Sequence, residues 1–108
     1  MTKNEFYEKL ITETKENDSF CIHNDTGAFN FIAHTDRWNI VRNPINSKNQ
    51  YVDRLSVPDS LDLLKRLNPD KIELHRYHDN CKEPVKIEYE ISESGVKEKK
   101  LSAQTEKN

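Results

Sequence analysis

The feature that most constrains the fold is a strict alternation near the carboxyl end of the chain. Residues 85–91 read VKIEYEI, so four apolar side chains alternate with three charged ones. Successive side chains of a β-strand point to opposite faces of the sheet, which puts the apolar residues on one face and the charged ones on the other. This segment predicts an antiparallel strand whose apolar face must be covered by a second layer.

The same period of two recurs in two other places. KIELHRYH, residues 71–78, predicts a strand directly before the one just described. Residues 19–41 contain three further apolar groups, centred on Phe20, Phe31 and Trp38, which predict two strands of a hairpin followed by a third. Residues 42–50, RNPINSKNQ, show no period and are rich in turn formers, so we expect a long exposed loop there.

Two segments have the spacing of helices. Thr2 and Glu5 have the spacing of a capping box, and a helix over residues 3–16 is predicted. Ser56 and Asp59 repeat that spacing before a second helix that ends at Asn68. The apolar stripes expected to be buried are Phe6, Tyr7, Leu10, Ile11 and Thr14 on the first helix, and Val57, Leu61, Leu63, Leu64 and Leu67 on the second.

The order of elements is therefore α-β-β-β-α-β-β. It predicts a small α+β domain over residues 1–95, with an antiparallel sheet of about five strands and both helices on one face. Residues 96–108 are expected to be a charged C-terminal tail or a short helix. The layout is similar to that of the small secretion-chaperone fold, and a dimeric chaperone or adaptor is one functional alternative.

Charge and cysteine content narrow the class of protein. The 17 basic and 19 acidic residues give a net charge of -2, and neither half of the chain is strongly charged. We find no leader pattern and no apolar run of the ~20 residues needed to span a bilayer, so a cytoplasmic location is expected. Cys21 and Cys81 are then expected to be free thiols.

The stretch HNDTGAF contains Asp25, Thr26, Gly27 and Ala28, a tetrapeptide that resembles the active-site signature of aspartic proteases. That family needs two such carboxylates facing each other, with glycine-rich flaps above them. The chain has only Gly27 and Gly95, and the apolar strand that leads the family's loop is interrupted by polar residues. We therefore expect a hairpin turn, in which Asn24 or Asp25 bonds its own backbone and Gly27 takes a positive φ.

Four residues have side chains suited to zinc, namely Cys21, His23, His78 and Cys81. None belongs to the Cys-x-x-Cys pair that marks the common closed sites, so a zinc-stabilised domain is kept as an alternative and no metal is predicted. No cofactor is expected either, because two isolated glycines cannot form a phosphate-binding loop.

A local group of basic residues with one aromatic suggests nucleic-acid binding as a second alternative. Arg37, Arg42, Lys48 and Arg54 lie close to Trp38 in the sequence, and an aromatic ring among cations can stack a base. The net charge of -2 gives no overall positive field, which is the main source of nonspecific affinity for DNA. The alternative is therefore not favoured.

By elimination, the sequence predicts a non-enzymatic domain that binds another protein. The residues expected to contact it are of the types enriched at interface hot spots: Trp38, Arg42, Tyr51, Arg54, His75 and Tyr77. Frequent Lys, Asn and Ile indicate an AT-rich genome. The sharpest hypothesis is a phage or mobile-element protein that inhibits a host defence enzyme.

Overall fold

The computed structural model describes residues 1–77 and 84–101 of the 108-residue chain. The elements, in chain order, are α1 (Lys3–Glu13), β1 (Ser19–Asn24), β2 (Gly27–Ala33), β3 (Arg37–Pro44), β4 (Tyr51–Ser56), α2 (Val57–Leu67), β5 (Lys71–Arg76), β6 (Val85–Ser92) and β7 (Gly95–Lys100).

The strands of the described residues belong to one seven-stranded sheet in the order β4-β3-β2-β1-β5-β6-β7. Each neighbouring pair is antiparallel. Consecutive strands β1 to β4 form one meander and β5 to β7 form another. The two meanders meet where β1 pairs with β5, over the register from Ser19 opposite His75 to Cys21 opposite Glu73.

The sheet has one covered face, which we call the helix face, and an opposite face that we call the open face. Both helices contribute to a common core with the helix face: the ring centroids of Phe6 on α1 and Tyr89 on β6 are 5.0 Å apart. Those of Phe20 and Phe31 on adjacent strands are 4.7 Å apart and stacked. The predicted class, α+β with two helices and an antiparallel sheet, is confirmed.

The helix boundaries follow the predicted caps. Thr2 Oγ1 accepts a hydrogen bond from the Glu5 amide at 3.1 Å, and Glu5 Oε1 accepts one from the Thr2 amide at 2.8 Å. Ser56 Oγ accepts from the Asp59 amide at 3.2 Å, and Asn68 ends α2 in the left-handed conformation. Neither of the described helices is long and apolar enough to cross a membrane.

The burial of the helices agrees with the predicted stripes except at a few positions. Phe6, Tyr7, Leu10 and Ile11 are buried on α1, as is Leu64 on α2. Val57 is 37% exposed, so its predicted burial is wrong: it is the first residue of α2 and lies beyond the covered area. The first helix also ends at Glu13 rather than at residue 16.

The sheet has seven strands where about five were expected, and both additional strands are at its edges. β4 follows the predicted loop, whose first three residues belong to the end of β3. β7 occupies residues 95–100, where a charged tail or short helix was expected. An edge strand has a neighbour on one side only, so less of it is buried and the alternation that reveals a strand is weak.

The predicted hairpin turn at Asn24 to Gly27 is confirmed. Asn24 Oδ1 accepts hydrogen bonds from the Thr26 amide at 2.9 Å and from its hydroxyl at 2.7 Å. Gly27 has φ +144°, and a Cβ atom built on it would overlap the carbonyl oxygen of Asn43. Asp25 is exposed at the tip of this turn.

Candidate protein-binding surface

Trp38 is part of the core. Its side chain is only 2% exposed, and its ring meets those of Phe20 and Phe31 edge-on, with centroids 5.4 Å and 6.4 Å away. The register places it opposite Leu55 of β4, on the helix face. A buried indole offers no area to a partner and cannot stack a nucleic-acid base, so Trp38 is not part of the candidate surface.

Exposed apolar side chains concentrate around the β3–β4 hairpin. Val52 is 55% exposed, Tyr51 is 43% exposed and Ile45, in the connecting loop, is 67% exposed. Together with Arg42 and Arg54 they form what we call the β4 patch. Sequence reasoning named Arg42, Tyr51 and Arg54 but missed Ile45 and Val52, whose only signal was an apolar side chain inside or next to a polar loop.

Arg42 and Tyr51 form the best-defined contact of the β4 patch. They lie directly opposite each other in the β3–β4 ladder. The guanidinium carbon of Arg42 is 5.2 Å from the centroid of the Tyr51 ring, a cation–π geometry. Nearby, Gln50 Nε2 donates to Asn43 Oδ1 at 3.0 Å, which fixes the start of β4 against β3. These two contacts connect the start of β4 to β3.

β4 is an edge of the sheet, with β3 on one side and no described strand on the other. Half of its backbone donors and acceptors consequently point away from the sheet. From the register, Tyr51, Asp53 and Leu55 lie on the helix face, whereas Val52 and Arg54 lie on the open face. A partner strand added here would meet both sets of side chains.

The β3–β4 hairpin has an excess of positive charge. Residues 37–56 contain four basic residues and one acidic residue, in a chain with a net charge of -2. Arg37 is 3.8 Å from Asp36, but Arg42 and Arg54 make no ion pair with any described residue. Arg54 lies opposite the neutral Asn39. Its charge is therefore uncompensated within the sheet.

His75 lies elsewhere, on the open face where the two meanders meet. Its Nε2 is 2.5 Å from Glu73 Oε2. Glu73 lies opposite Cys21, whose Sγ is 3.4 Å from His23 Nε2. Burial, and then the nearby charge of Glu73, raise the pKa of the Cys21 thiol. The thiol is thus kept neutral, which is the opposite of what a cysteine nucleophile needs.

Of the four zinc candidates, Cys21 and His23 lie within the described residues. They are in contact, but the described part of the chain contains no group of three or more His, Cys, Asp or Glu side chains that could hold a metal. His78 and Cys81 lie outside the described residues.

Tyr77 borders a third region, a groove of about 820 Å³ between α1 and the β5–β7 meander. It is 51% exposed, and its amide donates to Asp18 Oδ1 at 2.9 Å. The floor of the groove is apolar and includes Phe6, Leu74 and Tyr89. Its charged lining is balanced, with Lys9, Lys15 and Arg76 against Glu13, Asp18 and Glu98. Nothing in this lining selects a particular ligand.

The predicted contact residues thus separate into a buried tryptophan, the β4 patch, the meander junction and the groove. Only the β4 patch joins exposed apolar area, uncompensated positive charge and unpaired backbone. Comparison of the chain with models of protein families, with curated proteins and with solved structures finds no match in any of the three.

Proposed function

We propose that this chain is a non-enzymatic domain that binds another protein through β4 and the hairpin that leads into it. The observation that carries the proposal is the coincidence, on one sheet edge, of exposed Tyr51 and Val52 with Arg42 and Arg54, two arginines that make no ion pair with a described residue. Tyrosine and arginine are enriched at interface hot spots, because each combines a large contact area with directional polar groups.

Strand addition is the mode of binding that this edge favours. A partner segment in extended conformation would satisfy the outward backbone groups of β4, and its alternate side chains would contact the two faces separately. The main-chain bonds supply affinity in this mode, and the side chains supply specificity. The partly buried Leu55, packed against the core, anchors β4 so that it does not have to be ordered on binding.

The groups available for chemistry on the described surface also support binding rather than catalysis. The Cys21 thiol has a raised pKa, and Asp25 stands on an exposed turn without a second carboxylate opposite it in the hairpin register. Inhibition of a host defence enzyme by a phage or mobile-element protein is the narrower hypothesis, and it is supported only by the base composition that the sequence indicates.

Nucleic-acid binding is the second candidate, favoured by the excess of basic residues in the hairpin. It would use Arg42 and Arg54 as phosphate contacts, with Tyr51 as the exposed ring. Such binding weakens steeply as salt is raised, because phosphate contacts release counterions.

The experiment is affinity capture from a lysate of a low-GC bacterium, treated with nuclease, with immobilised wild-type protein and two edge variants. Val52→Lys places a charge at an exposed position of β4, and Lys99→Ala, a substitution at an exposed position of β7, is the control for the other edge. We expect one set of proteins to be retained by the wild type and by Lys99→Ala and to be lost by Val52→Lys. Retention that is insensitive to Val52→Lys, or that disappears with nuclease, would contradict the proposal.

A further inference from the structure

We infer that the partner supplies an extended acidic segment, which pairs with β4 as an additional strand of the sheet. This inference rests on the proposed function, and it adds the chemistry of the partner to it. It follows from the charges around β4, from their difference from those around β7, and from the registers open to a second copy of the chain.

The charges around β4 call for negative charge in the partner. Arg54 lies on the open face opposite the neutral Asn39, and Arg42 lies opposite the neutral Tyr51. Neither arginine makes an ion pair with a described residue. Opposite charges directly across a ladder stabilise strand pairing, so an acidic side chain placed beside Arg54 is favoured.

β7 is also basic, but two of its three lysines already have a carboxylate opposite them, and the third, Lys100, lies opposite Ile87. Lys97 lies across the ladder from Glu90, and Lys99 from Glu88. No residue of β7 is an exposed large apolar side chain. An acidic strand approaching β7 would meet the carboxylates of β6 one strand further in. The acidic segment is therefore expected to select β4.

The register of β4 also defines which positions of the partner should be acidic. A residue opposite Arg54 should carry a carboxylate, and one opposite Val52 should be apolar, since both point to the open face. A residue opposite Asp53, on the helix face, should not be acidic, because like charges directly opposite are destabilising. A peptide with a negative charge at every second position would satisfy only part of this pattern.

A second copy of the chain fits this edge less well. Two copies pairing antiparallel about a two-fold axis would place identical residues opposite each other at the axis. Centring on Asp53 or Arg54 opposes like charges, which is destabilising. Centring on Tyr51, Val52 or Leu55 opposes no like charges within β4 but brings together two hairpins that each contain four basic residues and one acidic residue.

The test is a titration of ¹⁵N-labelled wild-type protein with the capped peptide Glu-Val-Glu-Thr-Val-Thr, followed by NMR. In antiparallel pairing its second glutamate lies opposite Arg54 and its first threonine opposite Asp53. We expect saturable shifts of β4 amides, and none of comparable size with Lys-Val-Lys-Thr-Val-Thr. Arg54→Glu should weaken binding of the acidic peptide by about fivefold or more, because it removes one cross-strand charge pair and places a like charge opposite the glutamate. Lys99→Glu, on β7, should leave it unchanged.

Three results would overturn the inference. The lysine peptide could bind β4 with the same affinity as the acidic peptide, or the acidic peptide could shift no β4 amide. The free protein could also sediment as a dimer that Val52→Lys dissociates, which would identify a second copy as the occupant. If the acidic peptide fails while captured proteins still depend on Val52, the proposed function stands and only the acidic strand is refuted.

Discussion

The two edges of the sheet solve the same problem in different ways. In β7 the unpaired outward backbone groups are flanked by charged side chains, since four of its six residues are Lys or Glu. β4 has one acidic and one basic residue among six, and its Tyr51 and Val52 are exposed. Natural proteins use lysine on edge strands to prevent unwanted pairing. The difference agrees with the proposal that β4, and not β7, is the edge that pairs with a partner strand.

The largest expected difference between the β3–β4 side of the sheet and the β7 side is the loss of unfolding free energy when a glycine is replaced by alanine. Gly27 and Gly95 both have φ near +144°, at +144° and +143°, but a Cβ on Gly27 would overlap Asn43 and Pro44, whereas Gly95 faces open space. Gly95→Ala should cost about 1 kcal/mol of unfolding free energy from backbone strain alone. Gly27→Ala should cost about 3 kcal/mol or more, because β3 must also move.

Urea unfolding of the two alanine variants, monitored by circular dichroism, measures this contrast. Equal losses of unfolding free energy would show that β3 moves aside for the added methyl group at little cost. The position of the hairpin that carries the β4 patch would then not be fixed by its packing against Gly27.

A smaller contrast is expected at alkaline pH, because the buried tyrosines are Tyr7 on α1 and Tyr89 on β6, whereas the buried aromatic residue next to β4 is Trp38, which does not ionise. Burial, and then the charge of Asp70, raise the pKa of Tyr7 to about 12 from the usual 10. Its neutral hydroxyl donates to the Pro69 carbonyl at 2.6 Å. A pKa raised on folding means that this stabilisation is complete below pH 10 and is lost as the pH rises towards about 12.

At pH 8, the unfolding free energy of Tyr7→Phe should therefore be about 1 kcal/mol below that of the wild type, the net value of one hydrogen bond. Between pH 8 and pH 11, the unfolding free energy of the variant should fall by less than that of the wild type. Tyr51→Phe, at an exposed ring, is the control and should change neither value. Urea unfolding at both pH values is the measurement. A parallel alkaline loss in wild type and Tyr7→Phe would assign it to other groups.

The smallest effect on stability, within about 0.5 kcal/mol, is expected for Lys97→Val combined with Lys99→Val, because the preference of valine for strands offsets the loss of two exposed cross-strand charge pairs. The effect on association should be much larger, since the variant turns β7 into an apolar edge. Sedimentation velocity over a range of concentrations should show association beyond that of the wild type. Unchanged sedimentation would show that the lysines do not protect β7.

The same edges explain which parts of the fold could be predicted from the sequence. The central strands β1, β2, β3, β5 and β6 bury one face, so their apolar residues alternate and were recognised. β4 has a single partly buried side chain, Leu55, and β7 has only Gly95 and Val96. Without a buried face neither strand has a period of two, and no local pattern separates it from a loop or tail.

The candidate surface was predictable in part for a related reason. Arg42, Tyr51 and Arg54 were named because arginine and tyrosine are common at interfaces, and this reasoning does not depend on where the chain places them. Trp38 was also named, but the same alternation that makes β3 a strand turns its indole inward. Exposed Ile45 and Val52 were not found, because exposure of an apolar residue depends on neighbours distant in the sequence.

The ladder between β1 and β5 joins residues far apart in the sequence, such as Ser19 and His75, across only three described pairs. Each of the other pairings between described strands links strands that follow one another along the chain. Contacts of low sequence separation form early and distant ones late, because chain closure must come first. Each meander is thus expected to assemble by itself during folding, with the β1–β5 ladder as the closing step. Hydrogen exchange at Cys21 should report that step.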